Sequence, residues 1–241
     1  MKPTRLVLFD IDGTILTTLR QAWESPFRDA MEQVFAAEGD PRKLDMSRYK
    51  PGGKTDTQII YETLTQNGLE ESRIEKFLPL IRTHYLKMLK QVVEGNPGYV
   101  ALKPGIHELL AALHTHPDVL LGLLTGNFEE GARIKLGVHG LNHYFGFGAF
   151  GENARQRSDL PQRAVDTAKH HKGHHFSAKE IVIIGDTPND IHCGRHLNVR
   201  VIAVATGPFK MEELQAEKPD YVFSDLTDTA KVIAAILEPL H

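Results

Sequence analysis

The chain has 241 residues, with 28 Lys and Arg against 31 Asp and Glu and a formal net charge of −3, which excludes a whole-chain basic footprint for nucleic acid or an anionic membrane. Cys193 is its single cysteine, so an intramolecular disulfide is excluded and a reducing, cytoplasmic compartment is expected. At roughly 150 residues per domain the length suits one large or two modest domains, and 24% charged with 41% hydrophobic residues argues against disorder.

Leu6 to Phe9 is a short, β-leaning apolar run ended by acidic and glycine residues, which predicts a fully buried strand. Four residues are too few for a signal h-region, so no leader is expected. From about residue 15 to 100 the periodicity is helical, with no buried strand. Within that stretch Ser25-Pro26 reads as an N-cap with proline at the first helical position. Thr55-Asp56-Thr57-Gln58 and Ser72-Arg73-Ile74-Glu75 have capping-box spacing. Pro51-Gly52-Gly53 interrupts the pattern, and Asn96-Pro97-Gly98 with Lys103-Pro104-Gly105 marks its end. An all-helical insert over 16–99 is therefore predicted.

Val119 to Leu124, Ile181 to Ile184 and Val201 to Val204 repeat the signature of the first strand, and Phe145 to Phe150 and Tyr221 to Phe223 are weaker candidates. Each clear run is followed by a polar or glycine-bearing turn and then a helical pattern. That alternation predicts an α/β fold over 1–15 and 100–241, with a parallel sheet covered by helices on both faces. No run reaches the length of a membrane helix.

Ligands of a parallel sheet bind beyond the carboxyl ends of its strands, and three such ends carry chemistry here. Asp10-Ile11-Asp12-Gly13-Thr14 follows the first strand; two carboxylates so close repel, unless a divalent cation neutralises one and the other holds a proton. A solvated acidic turn is the plain alternative. Gly185-Asp186-Thr187-Pro188-Asn189-Asp190 adds two more carboxylates, and if the strands are neighbours the oxygen-only cluster suits Mg²⁺ better than zinc. Asp186 and Asp190 are also placed to complement a helix N-terminus. Thr125-Gly126-Asn127 offers a hydroxyl and turn amides to a phosphoryl oxygen, or simply ends a strand.

In that order and at those strand ends, these segments resemble motifs one, two and four of the haloacid dehalogenase superfamily, and more narrowly its phosphoglycolate phosphatase-like branch. The resemblance spans essentially the whole chain. It implies a three-layer Rossmann-like core with a helical cap inserted between motifs one and two. It also implies a cytoplasmic phosphatase of a small phosphorylated metabolite. Asp10 would attack phosphorus to give an aspartyl-phosphate, while Asp12 protonates the leaving oxygen and then activates water. Asp10, the main-chain carbonyl of Asp12, and Asp186 would hold Mg²⁺, with Asp190 in support. Thr125, Gly13 and Gly126 would surround the phosphoryl group, and Asn127 would reach substrate or phosphate.

Motif three departs from the common Lys-Pro form, because the stretch from Gly151 to Pro161 contains no lysine. Arg157 is the expected cation there, its always-charged fork suiting phosphate, with Arg155 the alternate. Lys54, after Gly52-Gly53, is the cap residue expected to reach substrate, or else a surface lysine before an N-cap. Gly146 to Gly151 matches GxGxxG without the helix that a dinucleotide site requires. His192 with His196, and the histidines around Gly173, read as helix surface. The rivals are a phosphosugar mutase, a phosphonate hydrolase using Lys54, or a 2-haloacid dehalogenase, which needs neither Asp12 nor metal. Outside the family stand a receiver-like signalling protein and a non-catalytic phospholigand binder.

Overall fold

The computed structural model describes residues 4–18, 20–48, 51–96 and 98–239. In chain order the strands are β1 (Arg5–Phe9), β2 (Leu16–Thr18), β3 (Val100–Leu102), β4 (Val119–Leu124), β5 (Gly148–Ala149), β6 (Ile181–Gly185), β7 (Arg200–Val204) and β8 (Tyr221–Phe223). The helices are α1 (Arg20–Ala37), α2 (Asp56–Gln66), α3 (Glu71–Gly95), α4 (Ile106–Thr115), α5 (Glu129–Gly137), α6 (Leu160–Lys172), α7 (Pro188–Leu197), α8 (Met211–Ala216) and α9 (Thr229–Leu237). Among the described residues, six strands form one sheet in the order β5-β4-β1-β6-β7-β8, and every pairing in it is parallel.

Alternation along each strand divides the core into two faces, because successive side chains point to opposite sides of a sheet. Val7, Phe9, Val182 and Ile184 pack with Leu109 and Leu113 of α4, Leu136 of α5 and Val232 of α9. Leu6, Leu8, Ile181 and Ile183 pack on the other side with Leu160 and Ala164 of α6 and Cys193 of α7. This is the three-layer α/β arrangement expected. Burying both faces is also why the strands read as continuous apolar runs.

The helical stretch after β1 is present as α1, α2 and α3, but it is bracketed by strands that the periodicity does not reveal. β2 and β3 pair antiparallel, Leu16 opposite Leu102 and Thr18 opposite Val100. Three residues are too short to carry a hydrophobic pattern, and their pairing is decided by contact across the chain. Phe27, Met31 and Phe35 of α1 pack with Phe77, Ile81 and Tyr85 of α3 in the same apolar cluster as the sheet face.

Some local expectations are corrected. Ser25-Pro26 is not a helix start: α1 begins at Arg20 and Pro26 lies inside it, where the missing amide leaves one intrahelical bond unmade. Packing of Phe27, Met31 and Phe35 on α3 outweighs that loss. Ser72 is not an N-cap either, because α3 begins at Glu71 after an extended Glu70, with Glu71 placed to complement the helix dipole. Thr55 does cap α2 by accepting the amide of Gln58 at 3.0 Å, but the Gln58 side chain turns to Glu62 instead of closing the box. The run Phe145 to Phe150 contracts to the two residues of β5. No helix among the described residues is long and apolar enough to cross a membrane.

Candidate active site

The order β4-β1-β6 places the three motif-bearing strand ends side by side. Phe9 lies opposite Leu123 on one flank and Ile184 on the other, and the Asp10 amide continues the ladder to the Ile184 carbonyl at 2.9 Å. The two strands that sequence reasoning required to be neighbours are neighbours. Beyond them opens a cleft of about 780 Å³, lined by Asp10, Asp12, Gly13, Lys54, Thr125, Gly126, Asn127, Arg157 and Asp186 among others.

Gly13 is required by the turn. Its φ is +101°, and a Cβ there would lie 2.1 Å from Oδ2 of Asp186. The chain thus folds tightly over that carboxylate, and the buried Thr14 hydroxyl donates to its Oδ1 at 3.1 Å. Asp10, Asp186 and Asp190 are all buried, and they present oxygens within 4.8 Å of one another. Arg157, also buried, donates from Nη2 to Oδ1 of Asp10 at 2.7 Å and to Oδ1 of Asp190. Asp190 Oδ2 accepts from the amide and hydroxyl of Thr187 at 3.0 and 2.6 Å, so this residue both caps α7 and anchors the arginine.

Charge in this space is finely set. Burial, with Asp190 and Asp12 nearby, pushes Asp10 up to about 7 against the pull of Arg157. Burial and the Asp10 and Asp190 charges raise Asp186 well above the ordinary carboxylate range. Burial opposes the Arg157 charge, yet Asp190 and Asp10 hold it above the ordinary arginine range. Among the described residues, Asp186 Oδ2 and Arg157 Nε are buried without a hydrogen-bond partner. An orphaned carboxylate oxygen in a cluster that resists joint ionisation is the setting a hard, oxygen-seeking cation fits.

Around this centre the other expected residues take distinct places. The buried Thr125 hydroxyl accepts from the amide and Nδ2 of Asn127 at 3.3 and 2.7 Å, leaving its own proton for a ligand. Asn127 Nδ2 also donates to Oδ2 of Asp12 at 2.7 Å. Gly126 lines the cleft but is first a docking surface: its carbonyl accepts the Asp56 amide at 2.7 Å, and a Cβ would lie 2.0 Å from the Lys54 carbonyl oxygen. Lys54 lines the cleft with Nζ on Glu62. Arg155 points elsewhere, to Glu71, Glu75 and the ring of Tyr61. The burial of Cys193 pushes its thiol up to about 12, and it donates to the Arg157 carbonyl at 3.4 Å, a packing role as expected.

Several cleft residues carry no signal that sequence reasoning used. Thr206, Gly207, Pro208 and Phe209 follow β7 and line the cleft; the strand-end rule applied to Val201–Val204 would have found them. Lys103 donates to the Thr206 carbonyl at 2.6 Å, where burial lowers its pKa against the raising effect of Asp186. Lys135, on the buried face of α5, reaches both oxygens of Asp12 at 2.9 and 2.8 Å. No spacing pattern marks it.

The sequence pattern of haloacid dehalogenase-like hydrolases matches residues 7–204. The chain is similar to a phosphoglycolate phosphatase of Aquifex aeolicus, 24% identical and covering 95% of this chain and 96% of the relative. It is also similar to the pyrophosphatase PpaX of Oceanobacillus iheyensis, 20% identical over 95% and 96% of the two chains. Among solved structures, the β-phosphoglucomutase of Clostridium difficile shares the fold with a TM-score of 0.68 at 15% identity, covering 97% of each chain.

Proposed function

Because this chain belongs to the haloacid dehalogenase-like hydrolases, we propose that it is a Mg²⁺-dependent phosphatase of a small phosphate monoester, working through a phosphorylated Asp10. One observation carries the reading most directly: Arg157 bridges Asp10 and Asp190 inside a buried carboxylate cluster that also contains Asp186. A structural turn has no need of such a cluster.

Asp10 Oδ attacks phosphorus in line as the bond to the leaving oxygen breaks, and Asp12 gives that oxygen its proton. Asp12, now a carboxylate, takes a proton from the water that attacks phosphorus, which frees Asp10 and inorganic phosphate. Arg157 and the Thr125 hydroxyl meet phosphoryl oxygens, with charge placed in advance of the reaction. Asp10, the Asp12 main-chain carbonyl and Asp186 would hold Mg²⁺, supported by Asp190, and the cation would supply charge neutralisation for the nucleophile and phosphoryl group. Gly13 and Gly126 line the cleft around that group, Asn127 borders it from beside Asp12 and Thr125, and Lys54 faces the rest of the substrate.

Residues 16–99 are read as a cap on a core of 1–15 and 100–241, with the β2–β3 pair at the junction. A reducing, cytoplasmic setting suits the lone buried thiol. The names of the relatives make phosphoglycolate and pyrophosphate the first substrates to test, beside sugar phosphates and p-nitrophenyl phosphate. Phosphate release with Mg²⁺, lost on chelation and in Asp10→Asn, is the expected result. Full turnover by Asp10→Asn, or no release from any substrate, would sink the reading.

A further inference from the structure

Lys135 is a buried cation beside Asp12 that this mechanism does not use. Its α5 neighbours Ala132 and Leu136 are buried in the core, so packing alone would ask for an apolar residue here. Instead a fully buried ammonium donates to Asp12 Oδ1 and Oδ2 at 2.9 and 2.8 Å and to Asn127 Oδ1 at 2.6 Å. Burying an ammonium is strongly unfavourable unless its donors are met, and here Asp12, the carboxyl proposed to move protons, and Asn127 help to meet them. Asn127 closes a ring by donating to Asp12 Oδ2 at 2.7 Å, and the same Nδ2 reaches the Thr125 hydroxyl at 2.7 Å. Asp12 lies outside the sheet, on a turn whose next residue has a φ of +101°. Its side chain is about one-third exposed, at 34%. The strand ladder does not fix it; α5 and the β4–α5 loop do.

We propose that Lys135 is a positioning residue for proton transfer, holding the Asp12 carboxyl, together with Asn127, in the orientation from which it serves the leaving oxygen and then the attacking water. The proposal rests on the phosphatase reading. Lys135 keeps its own protons throughout: one proton passes from Asp12 to the leaving oxygen, and one returns from water to Asp12.

The test uses leaving groups. kcat/KM reads steps up to phosphoryl transfer, and p-nitrophenolate departs without a proton whereas an alkoxide does not. Lys135→Met should lower kcat/KM for an alkyl phosphate at least ~10-fold more than for p-nitrophenyl phosphate, within the range a general acid contributes. In an Asp12→Asn background Lys135→Met should add nothing further, since residues acting through one another are not additive. Asn127→Leu, which leaves the lysine in place, should show the same leaving-group selectivity and serves if Lys135→Met does not fold. Equal losses on both substrates, or a full additional loss in the Asp12→Asn background, would overturn the proposal. An inactive Asp10→Asn beside a Lys135→Met without selectivity would overturn this inference alone, whereas an active Asp10→Asn would overturn the phosphatase reading beneath it.

Discussion

Asp56 shows how much a single buried carboxyl can report. It begins α2, accepts the Phe128 amide at 2.8 Å, and burial pushes it from 3.8 to about 7 despite the pull of Lys135 and that amide. Between those two values the folded protein holds a proton that the unfolded chain has lost, so rising pH draws the equilibrium toward unfolding until the effect is complete above about 7. Asn at this position keeps an oxygen for the Phe128 amide and carries no charge. Asp56→Asn should therefore gain melting temperature relative to the parent as pH rises from 3.8 to about 7, measured in parallel thermal scans; parallel curves would contradict the burial argument. At this scale legibility follows strand ends. Asp10, Asp12, Asp186 and Thr125 were readable because each stands where an apolar run stops, whereas Arg157 was named only through the family resemblance, as the cation of its third motif. Lys135 and Asp56 were not, since a charged residue on a helix normally faces water and only the fold shows these two turned inward.

The N-terminus of α2 is the element that ties the helical segment to the cleft. Thr55 Oγ1 donates to the Ala154 carbonyl and Thr57 Oγ1 to the Gly151 carbonyl, both at 2.6 Å, while the Asp56 amide bonds Gly126. All three acceptors, Gly126, Gly151 and Ala154, lie in the segments that carry Thr125 and Arg157, the residues expected to hold phosphate. Thr57→Val keeps the shape and removes the donor, so it should cost about 1–3 kcal/mol by leaving a buried carbonyl unmet, read as a shift in the denaturant midpoint. An unchanged midpoint would mean that water replaces the hydroxyl. The buried strands were legible as elements because double burial leaves their central residues apolar, as in Leu6 to Phe9, Ile181 to Ile184 and Val201 to Val204. β2 and β3 were not, since a three-residue pairing is specified by its partner across the chain, and Ser25-Pro26 misled because proline preference is weaker than the packing of α1 on α3.

Across the whole molecule, a net charge of −3 hides a local excess of carboxylates around Asp10 that Arg157 and Lys135 only partly balance. A divalent cation that binds the folded cluster and not the unfolded chain must stabilise the protein, by about 2.7 kcal/mol at a hundred times its dissociation constant. Mg²⁺ should accordingly raise the melting temperature in a concentration-dependent way, and Asp186→Asn should blunt that rise. A melting temperature indifferent to Mg²⁺ would remove the cation from the reading above.

The position of β1 at the centre of the sheet has a consequence for synthesis. This strand leaves the ribosome well before both of its partners, which begin only at Val119 and Ile181. Contacts so distant in sequence form late, because the intervening chain must first be closed into loops. A nascent or truncated chain ending before β6 carries Asp10 on a strand with one edge bare and lacks Asp186 and Asp190 altogether. Partial products of translation should therefore be catalytically silent, and the appearance of activity during synthesis would mark the moment at which the sheet closes around its first strand.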